Sequence, residues 1–307
     1  MAYSKLTSGT DIRGVAVEGV PGEPVTLTDE VVETIQTATD EPLYFFTNRG
    51  NCFMLDVTRI PETMKLKDRG SLLTGLIAGL ADHEHAVALV CVKSDEMAKK
   101  GDFLFITKNG QVKRTAAAEY GIRRARFAAI NLKGNDELVG MVQVDPEDKD
   151  DIILITQLGM ALRFKLDTVS CTGRATAGVR GIDVGKDDEV RWFEIPKAGD
   201  MLFVLSDRGF GKRMLSDDVE RQSRAGKGQK LLPMNKTGET GTQVAVCLNV
   251  TGAKSVRVEQ KHGHTVLLNM DEIAVERRAS KGQLLVNVLL DDVVQYGALT
   301  AETKDEK

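Results

Sequence analysis

FLFITKNGQVKRT, residues 103–115, decides the fold. An apolar run ends at Thr107, a short polar turn carries Gly110, and a second strand closes on Lys113 and Arg114. The same pattern recurs as YFFTNRGNCFML from Tyr44, IILITQLGMALRF from Ile152, MLFVLSDRGFGKRM from Met201 and, more weakly, HTVLLNMDEIAVER from His264. The turn glycines Gly50, Gly110, Gly159 and Gly209 are 60, 49 and 50 residues apart. Periods of that length belong to propellers and arrays of small sheets.

Each hairpin is followed by two more apolar strands. In the second copy these are ARFAAINL from Ala125 and DELVGMVQV from Asp136, and in the third GVRGIDV from Gly178 and EVRWFEI from Glu189. The connections KGND (133–136) and GKDD (185–188) carry residues that tolerate positive φ. This pattern predicts a four-stranded antiparallel sheet per unit, with units over about 43–100, 101–149, 150–199, 200–262 and 263–300. One such sheet cannot bury both of its faces, whereas sheets packed around an axis can. The fold class expected is all-β, a propeller-like array of about five blades. Residues 1–42 lie outside the repeat, and Thr26–Ala38 reads as a short α-helix: Thr28 suits the N-cap, Asp29 and Glu30 the first turn, and Val31, Val32 and Ile35 an apolar stripe. Residues 301–307 read as a solvated tail.

The chain has 307 residues and a net charge of −4. Its charge is uneven: residues 1–42 hold two basic and eight acidic groups, so the remainder is mildly positive. Any basic surface must therefore be local. Cys52, Cys91, Cys171 and Cys247 form no C-x-x-C pair, so neither a disulfide framework nor a zinc knuckle is indicated, and a reducing, cytoplasmic setting is expected. No apolar run reaches membrane-spanning length and no leader pattern is present. His83, His85, His262 and His264 lack companion ligands at metal-site spacing and read as surface histidines. No nucleophile elbow, H-E-x-x-H or framed acid/base pair is found. No cofactor, metal or small-molecule substrate is expected.

Basic residues recur just past the turns, as Lys113 and Arg114, Arg163 and Lys165, Lys212 and Arg213, Arg277 and Arg278. A second set lies in the long connections: Lys67 and Arg69; Arg123, Arg124 and Arg126; Arg174 and Arg180; Arg221, Arg224 and Lys227. In an array of equivalent blades these positions share one rim, and a curved stripe of cations suits a bent polyanion whose phosphates are contacted without base readout. The loop QSRAGKG, Gln222 to Gly228, places Gly226 and Gly228 around Lys227, which lets main chain approach a phosphate; it lacks Walker spacing.

These stretches resemble a known family, the C-terminal β-pinwheel domain of the A subunit of DNA gyrase and of its topoisomerase IV counterpart. The resemblance spans about 43–300 and rests on TNRGNCFMLDVTRIPE, TKNGQVKRTAAAEYG, GRATAGVRGIDVG, RGFGKRM and QSRAGKG. It implies a pinwheel that wraps duplex DNA on a basic outer rim and works with the remaining topoisomerase subunits in a bacterial, nucleoid-associated setting. It also implies a Q-[RK]-R-G-G-[RK]-G box, which Gln222, Arg224, Gly226, Lys227 and Gly228 match while Ser223 and Ala225 depart from it. The family's domain with the DNA-linked tyrosine has no counterpart here, so the chain by itself is expected not to cut DNA. KLTSGTDIRGVAVEGVPGEPVTLTDEVVETI, from Lys5, is similar to the start of phosphoglucomutase/phosphomannomutase enzymes, without their phosphoserine and magnesium loops. Residues 1–42 are read as a fragment of that kind with no mutase activity. A phosphohexomutase and a protein-interaction propeller are the competing readings; aromatics at 5% argue against the latter.

Overall fold

A computed structural model describes residues 11–12, 38, 40–61, 71–147, 149–234, 237–289 and 291–300. The four stronger hairpins read from the repeat are present. Leu43–Thr47 pairs with Asn51–Leu55, Asp102–Thr107 with Gln111–Ala116, Asp151–Thr156 with Met160–Lys165, and Met201–Ser206 with Phe210–Leu215. All are antiparallel. An inner strand from the same repeat lies against the first hairpin strand: Ala86–Cys91, Leu138–Val144, Val190–Glu194 and Val244–Asn249.

The fourth strand corrects the sequence reading. ARFAAINL does not complete its own unit; Arg126–Ala128 pairs with Asn51–Phe53 of the preceding blade. Val179–Arg180 likewise completes the second sheet, Gln229–Lys230 the third and Gln283–Leu284 the fourth. The connections KGND and GKDD thus join two sheets instead of turning within one. Four blades are each closed by a strand of the following repeat, which laces neighbours together through main-chain hydrogen bonds.

The fifth unit also begins earlier than the repeat suggested. Its hairpin is Ser255–Gln260 with Thr265–Asn269, turning at Gly263, so HTVLLN is the second strand and not the first. Val294–Leu299 is its inner strand, giving a three-stranded sheet.

A common hairpin chemistry explains why these sequences fold alike. Thr47, Thr107, Thr156 and Ser206 end the first strand at a register shift, and each hydroxyl accepts the amide of the residue following the turn glycine, at 3.1–3.3 Å. The turn glycine adopts φ between 74° and 81° in these four blades. It is also crowded: a Cβ on Gly110 would lie 2.7 Å from the Ile182 carbonyl oxygen, and one on Gly209 only 2.0 Å from that of Val286. Both neighbours belong to the following repeat's outer segment.

First strands are packed on both faces and so read as continuous apolar runs, buried along their whole length in LYFFT, DFLFIT and DIILIT. Successive clusters join neighbouring blades. Tyr44 and Phe46 meet Phe103, Phe105 and Tyr120; Leu104 and Ile106 meet Ile152 and Leu154; Ile153 and Ile155 meet Leu202 and Val204; Phe203 and Leu205 meet Val256 and Val258. The far face of the first blade is covered by Leu73 and Ile77, at the ends of the short helical turn Leu73–Leu76 and its exit. At the other end of the stack the pattern inverts. Where the fourth blade presents Phe203 and Leu205, the fifth presents Arg257 and Glu259, paired at 3.3 Å, with Leu267 exposed beside them, so charge replaces the apolar centre of the face at this end of the stack.

Asp11–Ile12 pairs with Ser71–Leu72 in an antiparallel two-residue ladder, the form in which Val179–Arg180, Gln229–Lys230 and Gln283–Leu284 join the blades before them. The helix expected over 26–38, apart from Ala38, and the 301–307 tail lie outside the described residues, as does the mutase-like segment from Lys5 to residue 35 apart from Asp11–Ile12.

Candidate nucleic-acid interface

Sheet register fixes which loop residues are equivalent. Val179, Gln229 and Gln283 pair with Val112, Ala161 and Gly211, so the residues five positions earlier, Arg174, Arg224 and Arg278, correspond. All three use the same contact. Arg174 Nη1 donates to the Ala128 carbonyl, Arg224 Nη1 to that of Arg180, and Arg278 Nη1 to that of Lys230 at 2.8 Å. Each acceptor lies in the outer strand of the preceding blade. The main chain adds Ala225 N to Gly181 O at 2.7 Å, Asp183 N to Gly226 O at 2.8 Å and Asn131 N to Thr176 O at 3.2 Å. Consecutive basic loops therefore form one hydrogen-bonded edge running across blades.

Cations on this edge divide into two groups. Arg123, Arg124, Arg126, Arg180, Arg221, Lys227 and Arg277 are exposed, with Arg180 at 60% and Arg221 at 52% side-chain exposure. Lys165 is exposed at the end of its hairpin strand. The second group faces inward, which the sequence reading did not anticipate. Lys113 and Lys212 are buried beneath loop carbonyls. Arg114 is buried, with Nε 2.6 Å from Asp102 Oδ2 and Nη2 donating to the Pro146 carbonyl. Arg163 bridges Asp151 at 2.7 Å and Asp217 at 2.9 Å, and Arg213 Nε donates to the Ile273 carbonyl at 2.7 Å. Lys113, Lys212 and Arg213 point to the loop of the next repeat because that loop crosses the strand edge there, whereas Arg114 turns to Asp102 and Pro146 of its own repeat. Lys67 and Arg69 lie outside the described residues.

Burial pushes the ammonium groups of Lys113 and Lys212 down to about 8, with Arg174 adding to the effect at Lys113. The carboxylate of Asp217 is held below its usual range by the Gly199 amide and by Arg163.

The loop Gln222–Gly228 is also read differently in three dimensions. Gly228 has φ 78°, and a Cβ there would lie 2.4 Å from the Ala161 carbonyl oxygen, so this glycine serves close packing of loop on strand. Gly282 repeats that contact against Gly211 at 2.3 Å. Gly226 supplies the carbonyl that Asp183 N donates to, and the Gln222 amide donates to Arg163 O at 2.8 Å. Two exposed cations were missed, Lys230 and Lys281. The repeated Lys-Gly pairs at 227–228 and 281–282 carried the signal for the second. Among the described residues, no group of three or more His, Cys, Asp or Glu could hold a metal ion, and no helix is long and apolar enough to cross a membrane.

Comparison with known proteins agrees with this architecture. Residues 101–145, 150–197 and 200–241, which span blades two to four, match the family model of the DNA gyrase C-terminal domain, beta-propeller. The DNA gyrase A protein of Deinococcus deserti is 33% identical over 88% of this chain and 33% of its own length, and that of Chlamydia trachomatis 30% identical over 90% and 33%. The Helicobacter pylori counterpart is 31% identical over 100% of this chain and 37% of its own length, so that alignment includes residues 1–42. The chain thus spans about a third of the length of these relatives. Among solved structures, the C-terminal domain of DNA topoisomerase IV superposes with a TM-score of 0.76 at 25% identity, covering 85% of this chain and 79% of that one. The gyrase A C-terminal domain superposes at 0.65, covering 86% and 84%, with 18% identity. Outer strands exchanged between blades, polar-ended stacking and the matched repeats lead to one conclusion: the chain belongs to the family of DNA gyrase C-terminal β-pinwheel domains, and its match is confined to that non-catalytic part of gyrase A.

Proposed function

We propose that this protein binds duplex DNA without sequence preference and bends it along the basic edge, as the wrapping element of a type II topoisomerase of the gyrase kind. The observation that carries the reading is the edge itself, where exposed Arg123, Arg124, Arg126, Arg180, Lys227, Lys230, Arg277 and Lys281 sit on equivalent loops and strands of successive blades. Such an arrangement contacts phosphates, releases counterions and leaves base edges unread. Inward-facing Lys113, Arg114, Arg163 and Lys212 support the loops and make no phosphate contact in this reading. The rest of the topoisomerase would supply strand cleavage and the remaining subunits, in a cytoplasmic, nucleoid-associated setting.

Ligation of nicked circular DNA in the presence of the protein tests both parts. Wrapping yields a linking-number change after deproteinisation, and the affinity for duplex falls steeply between 50 and 200 mM salt, by the order of 10³ for about six phosphate contacts. Affinity that is flat across that range would sink the proposal.

A further inference from the structure

Lys113 and Lys212 occupy the same place in their blades, three residues after the turn glycines Gly110 and Gly209. Both are essentially without solvent exposure, at 1% and 0%. Lysine is among the residues least often buried, because an ammonium loses its hydration there. The partners that replace water are main-chain carbonyls. Lys212 Nζ donates to Arg277 O at 3.0 Å, Arg278 O at 2.6 Å and Ser280 O at 2.5 Å, which uses all three of its hydrogens. Lys113 Nζ donates to Ala129 O at 3.1 Å and Arg174 O at 2.5 Å, and lies 5.5 Å from the centroid of the Phe105 ring.

The sheet does not require a lysine at this place. In the third blade the corresponding residue is Leu162 and in the first it is Phe53, both fully buried. An apolar side chain therefore completes the core equally well. What the lysines add is a bond to the loop above: the Arg277, Arg278 and Ser280 carbonyls over Lys212 belong to the segment that carries exposed Arg277 and Lys281, and the Arg174 and Ala129 carbonyls over Lys113 join the edges of two neighbouring blades.

We propose that Lys113 and Lys212 are positioning residues for the DNA-binding edge: Lys212 gathers the carbonyls of a basic loop of the following repeat, Lys113 ties such a loop to the outer segment of its own repeat, and each fixes where the exposed cations beside it stand relative to the neighbouring blade. The inference rests on the DNA reading given above. The anchors touch no phosphate. They act on the spacing of those cations, and hence on the curvature of the bound duplex more than on the number of charges it meets.

The test replaces Lys212 by Met in the full chain, with Lys113→Met as its counterpart. Amide exchange across residues 277–282 is read first, without DNA, and acceleration of about tenfold is expected once the carbonyls lose their donor. Unchanged exchange overturns the anchor whatever the DNA result. On duplex DNA, the slope of log affinity against log salt is expected to stay within about 0.4 of wild type, under half of the ~0.9 that one phosphate contact contributes. The linking change per bound chain is expected to fall. A slope reduced by a full contact, or an unaltered linking change, overturns the positioning role. Should the Met variant not fold, Lys212→Leu, the residue that fills the corresponding place in the third blade and has no donor, is read by the same three measurements and the same criteria. If the wild-type chain itself shows no salt-dependent DNA binding, the reading of function fails while the exchange result still decides whether the lysine holds the loop.

Discussion

Gly209 shows how much of this fold rests on single residues. Its φ of 81° disfavours any side chain, and the Val286 carbonyl lies where a Cβ would project. Gly209→Ala should lower the unfolding free energy by at least ~2 kcal/mol in urea denaturation. Gly252→Ala, at φ 73° with open space around it, should cost about 1 kcal/mol, so the difference reports the packing of the exchanged strand. Lys212 gives a second handle. Its folded-state value of about 8 lies below the unfolded 10.5, so between those pH values the unfolded chain binds more protons and the lysine's contribution to stability rises with pH. Denaturation at pH 8 and pH 10 should therefore show wild type gaining on Lys212→Met. The opposite trend would mean that the carbonyl ring holds the proton more tightly than burial opposes it.

At the scale of strands and sheets, stability lies in the junctions. Phe46 of the first blade packs edge-on against Phe103, Phe105 and Tyr120, with centroids 5.5–5.7 Å apart, and links two repeats. Phe46→Ala removes these contacts and should cost about 3–5 kcal/mol. Because the first blade also receives Arg126–Ala128 from the second repeat, the loss should spread across both blades and appear as one cooperative shift of the melting transition. A separate low-temperature transition confined to the first blade would show that the exchanged strands do not couple neighbours. Hairpins were legible in the chain because their signals are local: a hydroxyl residue, a polar turn and a glycine. The fourth strand was not, since GVRGI and ARFAA are adequate strands for either sheet, and only the geometry of a stacked array assigns them to the preceding one.

For the molecule as a whole, the exposed cations of one loop can be separated from the buried ones. Arg123, Arg124 and Arg126 are exposed on the first blade's edge. Replacing all three by Gln should reduce the salt slope by about 2–3, near 0.9 per phosphate contact, with little change in thermal stability. Arg114→Gln and Arg163→Gln should do the reverse, because each removes a partly or fully desolvated ion pair, to Asp102 and to Asp151 respectively. Measured together, these variants sort the two classes of cation by readout. An equal slope change in both classes would contradict the division.

Repetition of one hairpin along the chain was enough to establish an all-β array, four of its hairpins and their turn glycines, because turn chemistry and short apolar runs are set between neighbours in sequence. Which sheet each fourth strand completes, that the fifth blade starts at Ser255 and ends the stack on Arg257 and Glu259, and that Lys113, Arg114, Arg163 and Lys212 point inward while Arg180 and Lys227 face solvent were decided only in three dimensions. A basic residue one strand from a turn looks the same in sequence whether it meets water or a carbonyl. The loop that covers it comes from some 60 residues downstream, as with Lys113 and Arg174, and long-range contacts of that kind leave no local trace.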